Sequence, residues 1–398
     1  MYAFIFVITL LVSVTALHGK EGYLCVPVAD LVAAPFIEQS SKQHIKQAYQ
    51  SLTLSPEQGT RSCLRVHQAI FNERVTIVDF KNHQVQIVLK NCFSKAMLGA
   101  FDESIKVWTY KDWVVTDDEL VQMGIDQSVF PLEYNEKTRC DESIISLVYP
   151  WYDQVTQATY SAGTRFCLAS TQTNDDTYTV LLFNPKQKEL ITAYIPKQYA
   201  QASGHFSSEE RRKMFIALLY SWCDAEESIP FVWGGTSFIT HGCHEVVLKK
   251  WFSSTDELAS WDCSSSSKRP LSGLDASGLI LRAAQICGIS YYCCNSTALA
   301  HSLSSLSFSD MREGDIVWAP GYVGIIASLY TNEIIEAQGY ARGYGSVHCI
   351  SLKKRFADIK TWNDFAACCE KKIPLKSLDS QGRVVSHIPT FKLYRLSF

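Results

Sequence analysis

The sequence predicts an α+β protein, with two small β-barrels in its first half and a helix-then-sheet domain in its second. Three observations carry this. Short runs of alternating apolar and polar residues, parted by turn residues, dominate the chain as far as about residue 200. The segment 272–289 passes from a loop into a strongly apolar helix. Strand-like runs then follow at 315–318, 322–328 and 333–337, with Thr331-Asn332 as the turn between the last two.

The 398 residues leave room for two or three domains. A hydrophobic content of 47% and a charged content of 19% are those of an ordinary globular protein. The formal net charge of -3 gives no electrostatic reason to expect nucleic acid or an anionic membrane as partner. Residues 2–16 form one apolar run, short for a span of roughly 20 residues, and Val14-Thr15-Ala16 offers a cleavage site. Residues 1–18 are therefore read as a signal peptide, with an uncleaved anchor as the alternative, and export to the periplasm or cell envelope is expected. Fourteen cysteines form an even set that export would let pair, yet their scatter shows no disulfide framework. Buried thiols are the competing reading for many of them.

The first barrel is placed at 19–135. Runs 74–80 and 85–89 alternate and are parted by Lys81-Asn82-His83, a hairpin signal. Residues 38–60 read as a polar insertion, helical in part. The second barrel is placed at 144–202, with strands at 164–168, 178–183 and 190–195, the last two joined across residues 184–187. The third domain spans 206–398. Ser207 with Glu210 makes a capping box, and Phe215, Leu218, Leu219 and Trp222 line one face of the helix that follows. Asp275 is a good N-cap for the central helix, and Gly288 suits the left-handed position beyond its end. Ala276 thus stands in a first turn, where the dipole and free amides stabilise an anion. A cysteine at that place would be a good nucleophile. This chain has alanine.

Four motifs carry a family resemblance. Asp275-Ala276-Ser277-Gly278-Leu279 resembles the nucleophile segment Asp-Cys-Ser-Gly-Leu of the NlpC/P60 cell-wall cysteine peptidases. Residues 231–236, Phe-Val-Trp-Gly-Gly-Thr, resemble the family's Tyr-Val-Trp-Gly-Gly-Thr, and 312–317 resemble its Pro-Gly-Asp-Leu-Val run. Gly321-Tyr322-Val323-Gly324-Ile325 stands where the family has Gly-His-Val-Gly-Ile. The order of the four over about a hundred residues is specific. Residues 19–135 and 144–202 likewise resemble bacterial SH3-like barrels. The resemblance implies two SH3-like β-barrels followed by a papain-like NlpC/P60 domain, with residues 237–271 as an insertion.

It also implies site residues. The family's nucleophile position is Ala276, its base position Tyr322 and its orienting position Glu336, so the first two roles have lost their chemistry. A phenol with a pKa near 10 does not replace an imidazole at neutral pH. Two such losses point to natural decay of catalysis, since one engineered change would explain only Ala276. For substrate binding the resemblance implies Asp275, Ser277, Phe231, Trp233 and, by a looser alignment, Ser296. The ligand implied is a peptidoglycan stem peptide of the γ-D-Glu-diaminopimelate type, with a cell-wall enzyme as a second possible partner.

The expectation is an exported, inactive relative that binds stem peptides or a cell-wall partner. An active γ-D-glutamyl-diamino-acid endopeptidase using a non-standard thiol is the enzyme alternative, and a structural envelope protein is a third. Cys263, in Asp262-Cys263-Ser264, repeats part of the nucleophile motif without an apolar helix behind it. With His241, Cys243 and His244 it offers ligand types, but the spacing fits no standard zinc pattern and a Cys243–Cys263 disulfide is preferred. No cofactor and no metal are expected.

Overall fold

The computed structural model describes residues 19–36, 41–50, 52, 64–93, 104–169, 176–224, 228–239 and 272–398. The apolar N-terminal run, Cys243 and Cys263 lie outside these residues.

The first unit is a seven-stranded antiparallel sheet. Its strands are β1 (Lys20–Leu24), β2 (Val28–Val32), β3 (Arg65–Ile70), β4 (Arg74–Lys81), β5 (Gln84–Phe93), β6 (Ser104–Tyr110) and β7 (Val114–Thr116). They run in the order β3-β2-β6-β5-β4-β1-β7. The β4–β5 hairpin turns at Asn82, whose φ of 54° is tolerated by asparagine better than by most residues. Helix α1 (Lys42–Gln50) fills part of the polar insertion and buries Ile45 and Tyr49. The sheet does not close into a barrel among the described residues, because its edges β3 and β7 do not pair. It is strongly coiled nonetheless. A flat sheet would hold β3 about 14 Å from β5, three strand spacings away, yet His67 of β3 and Cys92 of β5 meet side chain to side chain at 3.6 Å.

The second unit is smaller. A three-stranded sheet joins β8 (Ile144–Leu147), β11 (Arg165–Cys167) and β14 (Ala200–Ala202), beside the pair β9 (Trp151–Asp153) and β10 (Ala158–Tyr160). The hairpin β12 (Thr177–Asn184) and β13 (Glu189–Pro196) keeps strict register from Thr177↔Pro196 to Asn184↔Glu189. Helix α2 (Asp117–Gln122) leads into this unit behind a Thr116–Glu119 capping box. Here too the sheets stay separate and no closed barrel forms among the described residues.

The third unit opens on α3 (Ser208–Cys223), capped by the expected Ser207–Glu210 box and burying Phe215, Leu218, Leu219 and Trp222. Strands β15 (Thr236–Ser237) and β16 (Gly273–Leu274) pair antiparallel, so the two ends of the long insertion are held together. The central helix α4 (Ala276–Ile286) follows, and Gly288 beyond it takes a φ of 67°. Helix α5 (Ser296–Ser302) leads into the main sheet of β17 (Ser305–Leu306), β18 (Ile316–Ala319), β19 (Tyr322–Ser328), β20 (Glu333–Gln338) and β21 (Ser346–Ser351). Helices α6 (Leu352–Arg355) and α7 (Trp362–Glu370), the hairpin β22 (Leu375–Leu378) and β23 (Val384–Ile388), and the strand β24 (Lys392–Tyr394) complete the chain. The sheet order is β17-β24-β18-β19-β20-β21.

Two cores flank this sheet. Val323, Ile325, Ile335 and Ala337 pack with α3, α4 and apolar residues of the first unit in one continuous core. Their neighbours Tyr322, Ile326 and Ile334 face the other way, into a core built with Phe356, Phe365 and Phe391. Strand alternation alone decides which core each residue joins.

The units interlock through a buried arginine. Arg282 of α4 pairs with Glu73 of the first unit at 2.8 Å and donates to the Thr236 carbonyl at 2.7 Å. Its stem lies against Gly163 of the second unit so closely that a Cβ there would overlap Cδ.

Candidate functional site

The site is built around the start of α4. Asp275 has extended backbone angles, and its Oδ1 accepts from the Gly278 amide at 2.7 Å, which satisfies a free first-turn donor. Its Oδ2 accepts from the Gly234 amide at 3.0 Å, and its own amide donates to the Gly235 carbonyl at 2.9 Å. One carboxylate therefore caps the helix and latches the loop 232–235 onto it. Burial lifts this carboxyl above the usual aspartate range, while the hydrogen bonds from Gly278, Ser277 and Gly234 pull it back down. Gly278 is required by packing, because a Cβ would overlap the Gly235 carbonyl oxygen.

Ser277 is buried, and its hydroxyl lies within hydrogen-bond reach of Asp275 Oδ1 at 2.8 Å and the Cys294 carbonyl at 3.0 Å. Phe231 is buried too, its amide donating to the Gly345 carbonyl at 2.8 Å. The accessible aromatic surface comes from Trp233, which is 45% exposed. Ser296 begins α5, and its carbonyl accepts from Trp318 Nε1 at 2.8 Å. Ala276 offers only a partly buried methyl at the helix N-terminus.

Tyr322 and Glu336 belong to a different constellation. The Tyr322 ring packs edge-on against Phe356 and Phe391, with centroids 6.0 and 5.7 Å away. The Arg355 guanidinium lies 5.1 Å from its centroid. Tyr322 therefore lies on the sheet face away from Val323, grouped with the aromatic core, whereas the sequence led us to expect it facing Ala276. Burial, and then Glu336, push its hydroxyl well above the usual phenol range, so it holds its proton. Glu336 is fully buried and pairs with Arg355 at 2.6 Å and His348 at 3.2 Å. Burial would lift the Glu336 carboxyl, but Arg355 and His348 outweigh it and hold it down at about 2. Glu336 does orient an imidazole, that of His348 across the β20–β21 ladder.

Eight of the described thiols are displaced away from nucleophilic reactivity. Burial pushes Cys25, Cys349 and Cys369 up to about 12, and Cys167 and Cys293 up to about 11. Cys92, Cys223 and Cys287 are displaced the same way. A nucleophilic thiol needs the opposite displacement.

Sequence reasoning missed Arg355 and His348, which sit in a stretch without motifs. Only the pairing of Glu336 with His348 would have pointed to the second. It also missed a cluster of His67, Cys92 and Cys294, whose ligand atoms all lie within 4.8 Å of one another. No spacing in the chain marks that cluster.

Fold and site together define an α+β chain whose central helix begins at a buried aspartate cap that latches the preceding loop. The chain shares its fold with NlpC/P60 proteins. An NlpC/P60 family protein from Bacillus cereus is similar over 84% of this chain and 94% of its own, with a TM-score of 0.52 and 16% identity. NlpC2 and NlpC1 from Trichomonas vaginalis are found as well, at TM-scores of 0.29 and 0.28 and 11% identity, over 84% and 88% of this chain and 93% and 94% of theirs. No protein-family profile and no curated protein sequence matches.

Proposed function

We propose that this chain is an exported, cell-wall-directed protein that binds peptidoglycan stem peptides without cleaving them. The observation that carries the reading is the start of α4, where Ala276 replaces the nucleophile while the Asp275–Gly234–Gly278 cradle is kept. Asp275 Oδ2 accepts from the Gly234 amide, and a carboxylate oxygen has a second lone pair that the free ammonium of a peptide would take. Trp233, next in sequence to Gly234, supplies an exposed aromatic surface. A charge-assisted bond of this kind contributes about 1.5–3 kcal/mol.

Calorimetry with L-Ala-γ-D-Glu-diaminopimelate and its N-acetylated form tests this. Acetylation is expected to weaken binding by about tenfold or more. Equal affinity for both, or none for either, would show that Asp275 acts only as a cap and would favour the structural-envelope reading. Peptide turnover that disappears in Cys263→Ala would establish the enzyme alternative with a relocated thiol.

A further inference from the structure

We propose that His67, Cys92 and Cys294 form a buried zinc site that ties the coiled N-terminal sheet to the α4–α5 connection. The inference does not depend on peptide binding.

The three ligand atoms come from places far apart in the chain: β3, the end of β5, and the loop just before α5. His67 Nε2 and Cys92 Sγ are 3.6 Å apart, and with Cys294 Sγ all three lie within 4.8 Å. With Zn–S near 2.3 Å and Zn–N near 2.0 Å, ligand atoms on a tetrahedron stand about 3.5–3.8 Å apart. The cluster is close to that spacing already. Both cysteines are free thiols, and the three residues are only 2%, 3% and 6% exposed.

A second observation points the same way. The hydroxyl of Tyr291, 2% exposed, has no hydrogen-bond partner among the described residues and lies in the field of Cys293, Cys294, Asp275 and Cys92. A buried phenol with nothing to bond to is costly. A water held by the ion in its fourth position would give that hydroxyl a partner and leave the phenol neutral.

The charges balance. A divalent ion displaces one proton from each thiol to solvent and leaves two thiolates with a neutral imidazole, so the completed site carries no net charge. That matters in a core where an uncompensated ion would cost several kcal/mol. Soft sulfur donors with one imidazole suit zinc and disfavour magnesium or calcium.

Such an ion would act as a clamp. Arg282 joins the units on one side of α4 through Glu73, and the cluster would join them again through β3 and β5. Ser277 lies within reach of the Cys294 carbonyl, so the clamp would also brace the start of α4.

The test uses the full chain, purified reduced, freed of metal and refolded with or without zinc. One equivalent of tightly held zinc is expected. His67→Gln, Cys92→Ser and Cys294→Ser should each weaken affinity by roughly 100-fold or more, with Cys293→Ser unchanged. Cobalt substitution of the unmutated chain keeps the proposal testable if a variant fails to fold, and should give the charge-transfer absorption of two thiolate ligands. Absence of stoichiometric zinc, binding that survives Cys92→Ser and Cys294→Ser, or a cobalt spectrum without thiolate absorption would each overturn the site. So would a Cys92–Cys294 disulfide found by mass spectrometry in the natively purified chain, or binding of copper(I) but not zinc.

Discussion

Replacing Ala276 by cysteine alone is expected to leave hydrolysis of γ-D-glutamyl-diaminopimelate peptides at background. The new thiol would gain the field of the α4 N-terminus but would find no group to take its proton. Tyr322 cannot serve, because its hydroxyl holds its proton more firmly than a free phenol and its ring is wedged between Phe356 and Phe391. Removing either member of a nucleophile–base pair costs on the order of 10⁶ in kcat. Ala276→Cys combined with Tyr322→His is expected to stay at background as well, read as iodoacetamide-sensitive release of cleaved peptide by chromatography, because position 322 opens on the sheet face away from α4. The imidazole would enter the surroundings of Glu336 and Arg355, not those of the new thiol. Iodoacetamide-sensitive turnover in the double variant but not in the single one would show that position 322 does reach the start of α4.

Arg355→Ala is expected to destabilise the fold by about 3–5 kcal/mol, because it strands the fully buried Glu336 carboxylate without its strongest partner. Arg355→Ala combined with Glu336→Gln should recover part of that loss, since the uncompensated charge is then gone. The pair also sets a pH dependence. Glu336 is held at about 2 in the folded chain, against about 4.3 for an unperturbed glutamate. Its stabilisation is fully present above the unfolded value and is lost as pH falls from there through about 2. Urea denaturation between pH 6 and pH 3 measures both effects. A Glu336→Gln chain whose stability falls over that interval as steeply as the parent would contradict the assignment.

What could be read from the sequence was local. The hairpin at Asn82, the capping box at Ser207 and the Asp275 cap each depend on a few adjacent residues, and each is found. The start of α4 was legible for that reason: cap, close-packed Gly278 and latched loop all lie within short motifs. The setting of Tyr322 was not, because its neighbours Arg355, Phe356 and Phe391 come from the motif-free region after β21. Glu336 read as an orienting residue by alignment to the family, but its partner His348 follows from strand register. The two expected barrels were a matter of alternation and turns, which fix strands and hairpins but not the pairing of edges. His67, Cys92 and Cys294 meet only because the first sheet coils. Coiling is a property of the whole sheet that no short window contains.

Arg282 has a bearing on how the chain comes apart. A guanidinium that reaches one unit with its charge, a second with its stem and a third with its backbone partner leaves no seam along which a fragment could detach intact. Cutting the chain before α3 would strip Glu73 and Gly163 from it together and bare the apolar faces of α3 and α4. The three units are thus expected to melt as one: calorimetry should show a single endotherm whose calorimetric and van't Hoff enthalpies agree. Such all-or-none integrity has a cost and a use. No module can be lost or traded singly, and the surface around Trp233 persists as long as anything does.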